Sequence, residues 1–150
     1  MPKQNRPHSL QTAPDGSVWT KHPDNPIMAP GQPGAFDAGG VGPQGVIVRD
    51  GVYQMWYEAM RNRATEIGNR SVGYAESDDG LSWTRRSAPV LEPTMGWESS
   101  RLNQPSVIFD GIRYQMWFTG ASGAQAHIGY AVSSDGIEWT RYLRNPIMPP

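Results

Sequence analysis

The strongest constraint on this chain is that it repeats itself. Residues 110–118 read D-G-I-R-Y-Q-M-W-F, and residues 50–57 read D-G-V-Y-Q-M-W-Y. A second phrase follows each: Y-A-E-S-D-D-G-L-S-W-T at 74–84 and Y-A-V-S-S-D-G-I-E-W-T at 130–140. A worn third copy of the second phrase occupies 10–20. An Asp-Gly…Trp-Thr element therefore recurs at Asp15, Asp79 and Asp135, spaced by 64 and then 56 residues. Each copy leads into an apolar exit containing proline: N-P-I-M at 25–28, A-P-V-L at 88–91 and N-P-I-M at 145–148. A period of about this size, with no sustained 3.6-residue periodicity, fits a propeller blade and not a helical repeat.

One unit can be parsed strand by strand. Residues 46–49 form a short apolar run that ends at Asp50-Gly51, a hairpin signal. Residues 52–58 alternate, with Tyr53, Met55 and Tyr57 on one face and Gln54, Trp56 and Glu58 on the other. Large apolar groups on both faces mark a sheet covered on both sides. Residues 71–77 form a third strand, and Asp78-Asp79-Gly80 turns it into a fourth at 81–85. The second unit repeats this at 106–109, 112–119, 127–133 and 137–141. Four short antiparallel strands per unit is the blade pattern. The expected architecture is all-β, with a frayed, disordered stretch at 1–7, a partial blade at 8–32, blade one at 33–92 and blade two at 93–150. Trp19, Trp83 and Trp139 stand at a fixed offset after the turn glycine and read as blade-to-blade packing residues.

Composition supports this and narrows the chemistry. The chain has 150 residues, 17 of them Gly and 14 Pro, six Trp, and a net charge of −1. That charge gives no pull toward nucleic acid or an anionic membrane. No apolar run approaches a membrane span, and residues 1–14 lack the apolar middle of a signal peptide, which points to a cytoplasmic location. With no cysteine, disulfides and thiolate metal sites are ruled out. His8, His22 and His127 have no metal-ligand spacing. Gly39-Gly40-x-Gly42 lacks the lysine and helix of a phosphate loop. No metal or cofactor is expected.

The pattern F/W-D/E, then Pro, then V-I-x-D-G-x-Y-Q-M-W, then G-Y-A-x-S-x-D-G-x-x-W-T, then N-P-I-M resembles the five-bladed propellers of the glycoside hydrolase superfamily. That superfamily includes arabinanase/xylosidase-like (family 43), invertase-like (family 32) and mannoside phosphorylase-like (family 130) enzymes. The likeness runs from about residue 8 to 148 and rests on blade-building residues, so it is specific for fold. The resemblance implies catalytic carboxylates at the starts of inner strands. Asp37 and Glu98, each after an aromatic residue (Phe36, Trp97) and 61 residues apart, match those positions. Glycoside hydrolysis needs two such acids. Phe36, Trp97, Arg101, Asn103 and Gln104 are the companion candidates for binding sugar. The bland alternatives are loop caps for the acids and packing for the aromatics. Arg61, Asn62, Arg63 and Arg70 form a basic loop whose default reading is solvated surface.

The resembled propellers have five blades, and this chain has two and a fraction. A blade pair alone exposes sheet faces and edges. The expectation is therefore a homo-oligomeric ring, a trimer of six blades in preference to a dimer of four. Three readings follow. The first is a glycoside hydrolase-like propeller, or a catalytically incomplete remnant, that handles oligosaccharide in a central channel. The second is a non-catalytic lectin-like or structural assembly module. The third is a piece of a longer propeller.

Overall fold

A computed structural model of the protein describes residues 21–62, 64, 69–94 and 96–148, and over that span the repeat is two propeller blades. Blade one is an antiparallel meander of β1 (Gly40–Arg49), β2 (Val52–Met60), β3 (Arg70–Ser77) and β4 (Thr84–Arg85). Blade two repeats it with β5 (Arg101–Phe109), β6 (Tyr114–Ser122), β7 (Gln125–Ser133) and β8 (Thr140–Arg141). Among the described residues the only helical element is one 3₁₀ turn, Gly96–Glu98. Asp15, Trp19, Arg63 and the expected frayed stretch 1–7 lie outside the described residues.

The inner strands are longer than the sequence suggested. β1 and β5 begin at Gly40 and Arg101, not at residues 46 and 106. Each carries a bulge at the same place, between Pro43 and Gly45 and between Asn103 and Ser106. A bulge absorbs an extra residue and lets pairing resume upstream. Proline is tolerated there because it falls at the bulge, where ladder pairing is interrupted. Equivalent positions in the first two strands stand 61 residues apart: Gly45 faces Trp56, and Ser106 faces Trp117.

The outer strands are shorter than expected. Only Thr84–Arg85 and Thr140–Arg141 pair, because the residues before them are committed to a side-chain-built turn. Asp79 Oδ1 accepts the N–H of Leu81 (2.8 Å) and Ser82 (2.7 Å), while Ser77 Oγ accepts that of Gly80 (2.9 Å). Asp135 and Ser133 repeat the set with Ile137 (2.9 Å), Glu138 (2.9 Å) and Gly136 (2.8 Å). Gly80 and Gly136 hold positive φ, +73° and +80°, where a side chain would be strained. Donated backbone N–H bonds favour the charged carboxylate, so both acids are held below the ordinary carboxylate range.

Alternation along β2 decides the packing, because neighbours on a strand point to opposite faces. Trp56 faces blade two. With Val72, Tyr74 and Leu91 it meets Leu102, Val107, Tyr114, Met116 and Phe118 in the main buried cluster. Met55, Tyr57 and Ala59 face the other way, with Phe36, Ala75 and the half-buried Met28, Val41 and Trp83. The proline-containing exits fold back on the third strand of their own blades. Leu91 bridges to Val72, and Met148 to Ile128. A single parallel pair, Arg70 with Arg101, joins the backbones of the two blades.

Candidate functional site

The acids that precede the inner strands are fully buried, each at 1 % exposure. Asp37 closes a tight turn in which Gly31 N–H donates to Asp37 O (3.2 Å). Its Oδ2 accepts from Arg85 Nη1 at 2.7 Å and from Tyr57 OH at 3.1 Å. Arg85 also donates from Nη2 to Ala29 O at 2.7 Å, so the guanidinium ties the outer strand to the segment before β1. Burial and the adjacent Asp37 charge push the Tyr57 hydroxyl's pKa up, which keeps it a proton donor to the carboxylate.

Glu98, on the 3₁₀ turn, repeats the design with different parts. Arg141 Nε lies 2.8 Å from Oε1. That N–H is not aimed at the oxygen, so the contact is electrostatic and not a hydrogen bond. Phe118 stands where blade one has Tyr57 and offers no hydroxyl. The Thr94 hydroxyl donates to Glu98 Oε1 instead.

The two acids share no hydrogen-bond or ion-pair partner among the described residues. Asp37 lies with Tyr57 on the outward face of blade one, whereas Glu98 lies beside Gly120, in the layer of Phe118 that packs on blade one. Each is tied to an arginine on the outer strand of its own blade. One oxygen of each, Asp37 Oδ1 and Glu98 Oε2, has no hydrogen-bond partner.

The aromatic companions are packed rings. Phe36 lies 6.4 Å from Tyr57, and Trp97 stacks on Phe118 at 5.9 Å with its edge toward His127. Glycine makes room for these rings. A Cβ at Gly73 would come within 2.2 Å of the Tyr57 ring, and one at Gly120 within 2.3 Å of Trp97.

The remaining candidates gather at the end of the blades where β1 and β5 begin. Arg101 Nη1 donates to Gly123 O at 3.3 Å. Asn103, opposite Thr119, keeps a buried Oδ1 with no partner. Gln104, within the bulge, is exposed and has φ +52°, a left-handed conformation for a residue that is not glycine. Its Oε1 accepts from Thr119 Oγ1 at 3.3 Å. Blade one places Glu58 at the position of Thr119, paired with Arg70 at 2.5 Å. Among the described residues no group of three or more His, Asp or Glu is placed to hold a metal, and no helix is long and apolar enough to cross a membrane.

Arg85, Arg141, Tyr57 and Thr94 were not singled out from the sequence as partners of the acids. The signal was present: both Trp-Thr turns end in W-T-R, at 83–85 and 139–141.

Comparison with known proteins follows the same lines. The profile of the glycosyl hydrolases family 32 N-terminal domain matches residues 42–150. The chain belongs to this family. A Mycobacterium tuberculosis protein, uncharacterized protein MT1551, is 32% identical over 130 residues, covering 81% of this chain and 43% of its own length. The 1,2-beta-oligomannan phosphorylase of a Thermoanaerobacter species is 28% identical over 129 residues, covering 79% of this chain and 42% of the relative. A Bacteroides thetaiotaomicron structure, provisionally classed as a glycosidase, superposes with a TM-score of 0.69 at 26% identity, over 81% of this chain and 40% of that one. The chain thus spans less than half the length of these relatives, and what it shares with this family is the propeller fold in partial form.

Proposed function

We propose that the chain binds oligosaccharide at the end of the blades where the inner strands begin, with Arg101, Asn103 and Gln104 as the contact set. The observation that carries this reading is the β5 bulge. A non-glycine residue held at positive φ costs free energy and persists where the surroundings over-determine it. Here the conformation presents the Gln104 amide at the surface, next to an Asn103 carbonyl that lacks a donor. Amide side chains of this kind hydrogen-bond sugar hydroxyls in both directions. In this reading Asp37 and Glu98 clamp outer strand to inner strand, and copies of the chain complete the ring, three chains giving six blades.

A second reading keeps Asp37 and Glu98 as the catalytic carboxylates. What favours it is the unpartnered oxygen that each retains. In that case Phe36 and Trp97 would flank the sugar. The lectin-like reading is the first proposal without turnover.

One experiment separates these. The protein is titrated calorimetrically with oligosaccharides, including β-1,2-linked mannosides, and products are followed with water or phosphate as acceptor. Gln104→Ala and Asn103→Ala are expected to weaken binding about tenfold, the loss of roughly one hydrogen bond, with little change in melting temperature. Asp37→Asn and Glu98→Gln are expected to lower the melting temperature. If those two variants fold and bind normally but lose turnover, the acids are catalytic. If no oligosaccharide binds, the proposal fails.

A further inference from the structure

The contact between the blades is a lock with a donor and a socket. Trp56 Nε1 donates to Gly136 O at 2.9 Å, in the Asp135–Gly136 turn of blade two. Its ring meets Trp139 edge-on at 6.2 Å and Tyr114 at 5.5 Å. Tyr114 OH donates to Gln54 Oε1 at 2.9 Å across the same seam. The Gly136 carbonyl therefore serves two indoles, Trp56 and its own Trp139 (3.0 Å), one for each lone pair.

The chain carries a second donor and a second socket, both unused among the described residues. Trp117 occupies Trp56's position on blade two. Tyr130 lies 5.2 Å from it, the separation that holds between Trp56 and Tyr74. Trp117 Nε1 has no acceptor among the described residues. At the other end, Gly80 O accepts, among the described residues, only its own Trp83, at 3.2 Å, leaving the lone pair that Trp56 fills in the second turn. Apolar side chains at both sites are exposed. Val46 and Val48 beside the socket are 47% and 59% exposed, and Ile108 beside Trp117 is 46% exposed.

We infer that a second copy of this chain docks head to tail, Trp117 of one copy donating to the Gly80 carbonyl of the next and repeating the internal seam. This rests on the ring completion proposed above and names its interface. Both halves lie on one chain and are not self-complementary, so the contact is heterologous and propagates until the rotation closes. Its pattern is already present once within the molecule, which is what selects a second copy as occupant.

The test is sedimentation of the wild type, Trp117→Arg, Val48→Glu and their equimolar mixture, with circular dichroism as the check on folding. The wild type is expected to sediment as a multimer and each variant as a single chain. The mixture is expected to form one-to-one dimers only, because each variant keeps one good face. Ile108→Glu spoils the Trp117 face without touching a buried group and replaces Trp117→Arg if that variant does not fold. A wild-type multimer indifferent to all three substitutions overturns this interface and leaves ring completion standing. A wild type that is a single chain at every concentration overturns both, and a following blade on a longer polypeptide then becomes the occupant.

Discussion

Blade one and blade two carry nearly the same residues in nearly the same strands, yet their burial differs. Val107 is 6% exposed and its counterpart Val46 is 47% exposed. The position is the same; among the described residues only Val107 has a neighbouring blade against it. The acid clamps differ in the opposite sense. Asp37 receives two well-formed hydrogen bonds, from Arg85 and Tyr57. Glu98 receives one, from Thr94, and a misaligned ion-pair contact from Arg141. Repeated sequence thus fixes the strand and its partners, while the burial of each face depends on what stands next to it.

The largest expected effect tests the seam. Trp56→Ala should cost about 3–5 kcal/mol of unfolding free energy, the range for deleting a fully buried large aromatic side chain. It also removes one of the two indole donors to the Gly136 carbonyl. Denaturant unfolding followed by Trp fluorescence and circular dichroism measures it. A loss under about 1 kcal/mol would mean that the blades do not rely on this contact.

Next come the clamps. Removing one partner of a buried ion pair is strongly destabilising. Both arginines keep some solvent contact, at 30% and 27%, which moderates the cost. Asp37→Asn is expected to lose about 3 kcal/mol and Glu98→Gln about 2 kcal/mol. The ordering follows from the extra aligned donors on Asp37, and equal losses would remove the distinction between the blades. Tyr57→Phe makes blade one resemble blade two, and should cost about 1.5–2 kcal/mol for a hydrogen bond to a charged group.

The smallest effect is in the turns. The pKa values of Asp79 and Asp135 are depressed by the backbone N–H groups they bind. Groups lowered on folding stabilise the protein above their unfolded value, about 3.9, and that contribution is lost as pH falls through the folded value. The melting temperature should therefore stay level from neutral pH to about 5 and decline below about 4, more gently in Asp79→Asn and Asp135→Asn. A decline as steep in the variants as in the wild type would assign the acid sensitivity to other carboxylates.

Much of the fold was legible. The Asp-Gly and Ser-x-Asp-Gly phrases mark turns by their own chemistry, and Tyr53 to Tyr57 alternate as a doubly covered strand must. The outer strands were overestimated because Leu81 and Ile137 look like strand residues, yet their N–H groups are taken by Asp79 and Asp135. The inner strands were underestimated because Gly42-Pro43 and Asn103-Gln104-Pro105 read as breakers, and a bulge carries the pairing through them. Of the candidate site, the equivalence of Asp37 and Glu98 was visible from spacing. Their arginines were not, because the pairs span 48 and 43 residues and form only when the outer strand folds back over the inner one. Gln104 left no sequence mark of its conformation, since positive φ is ordinarily announced by glycine.

Native mass tests the central claim most directly, that two blades cover one another and leave two matching faces for further copies. Sedimentation equilibrium of the wild-type chain should give three times the 16.6 kDa of one chain. A single-chain mass at all concentrations, with one cooperative melt, would contradict it.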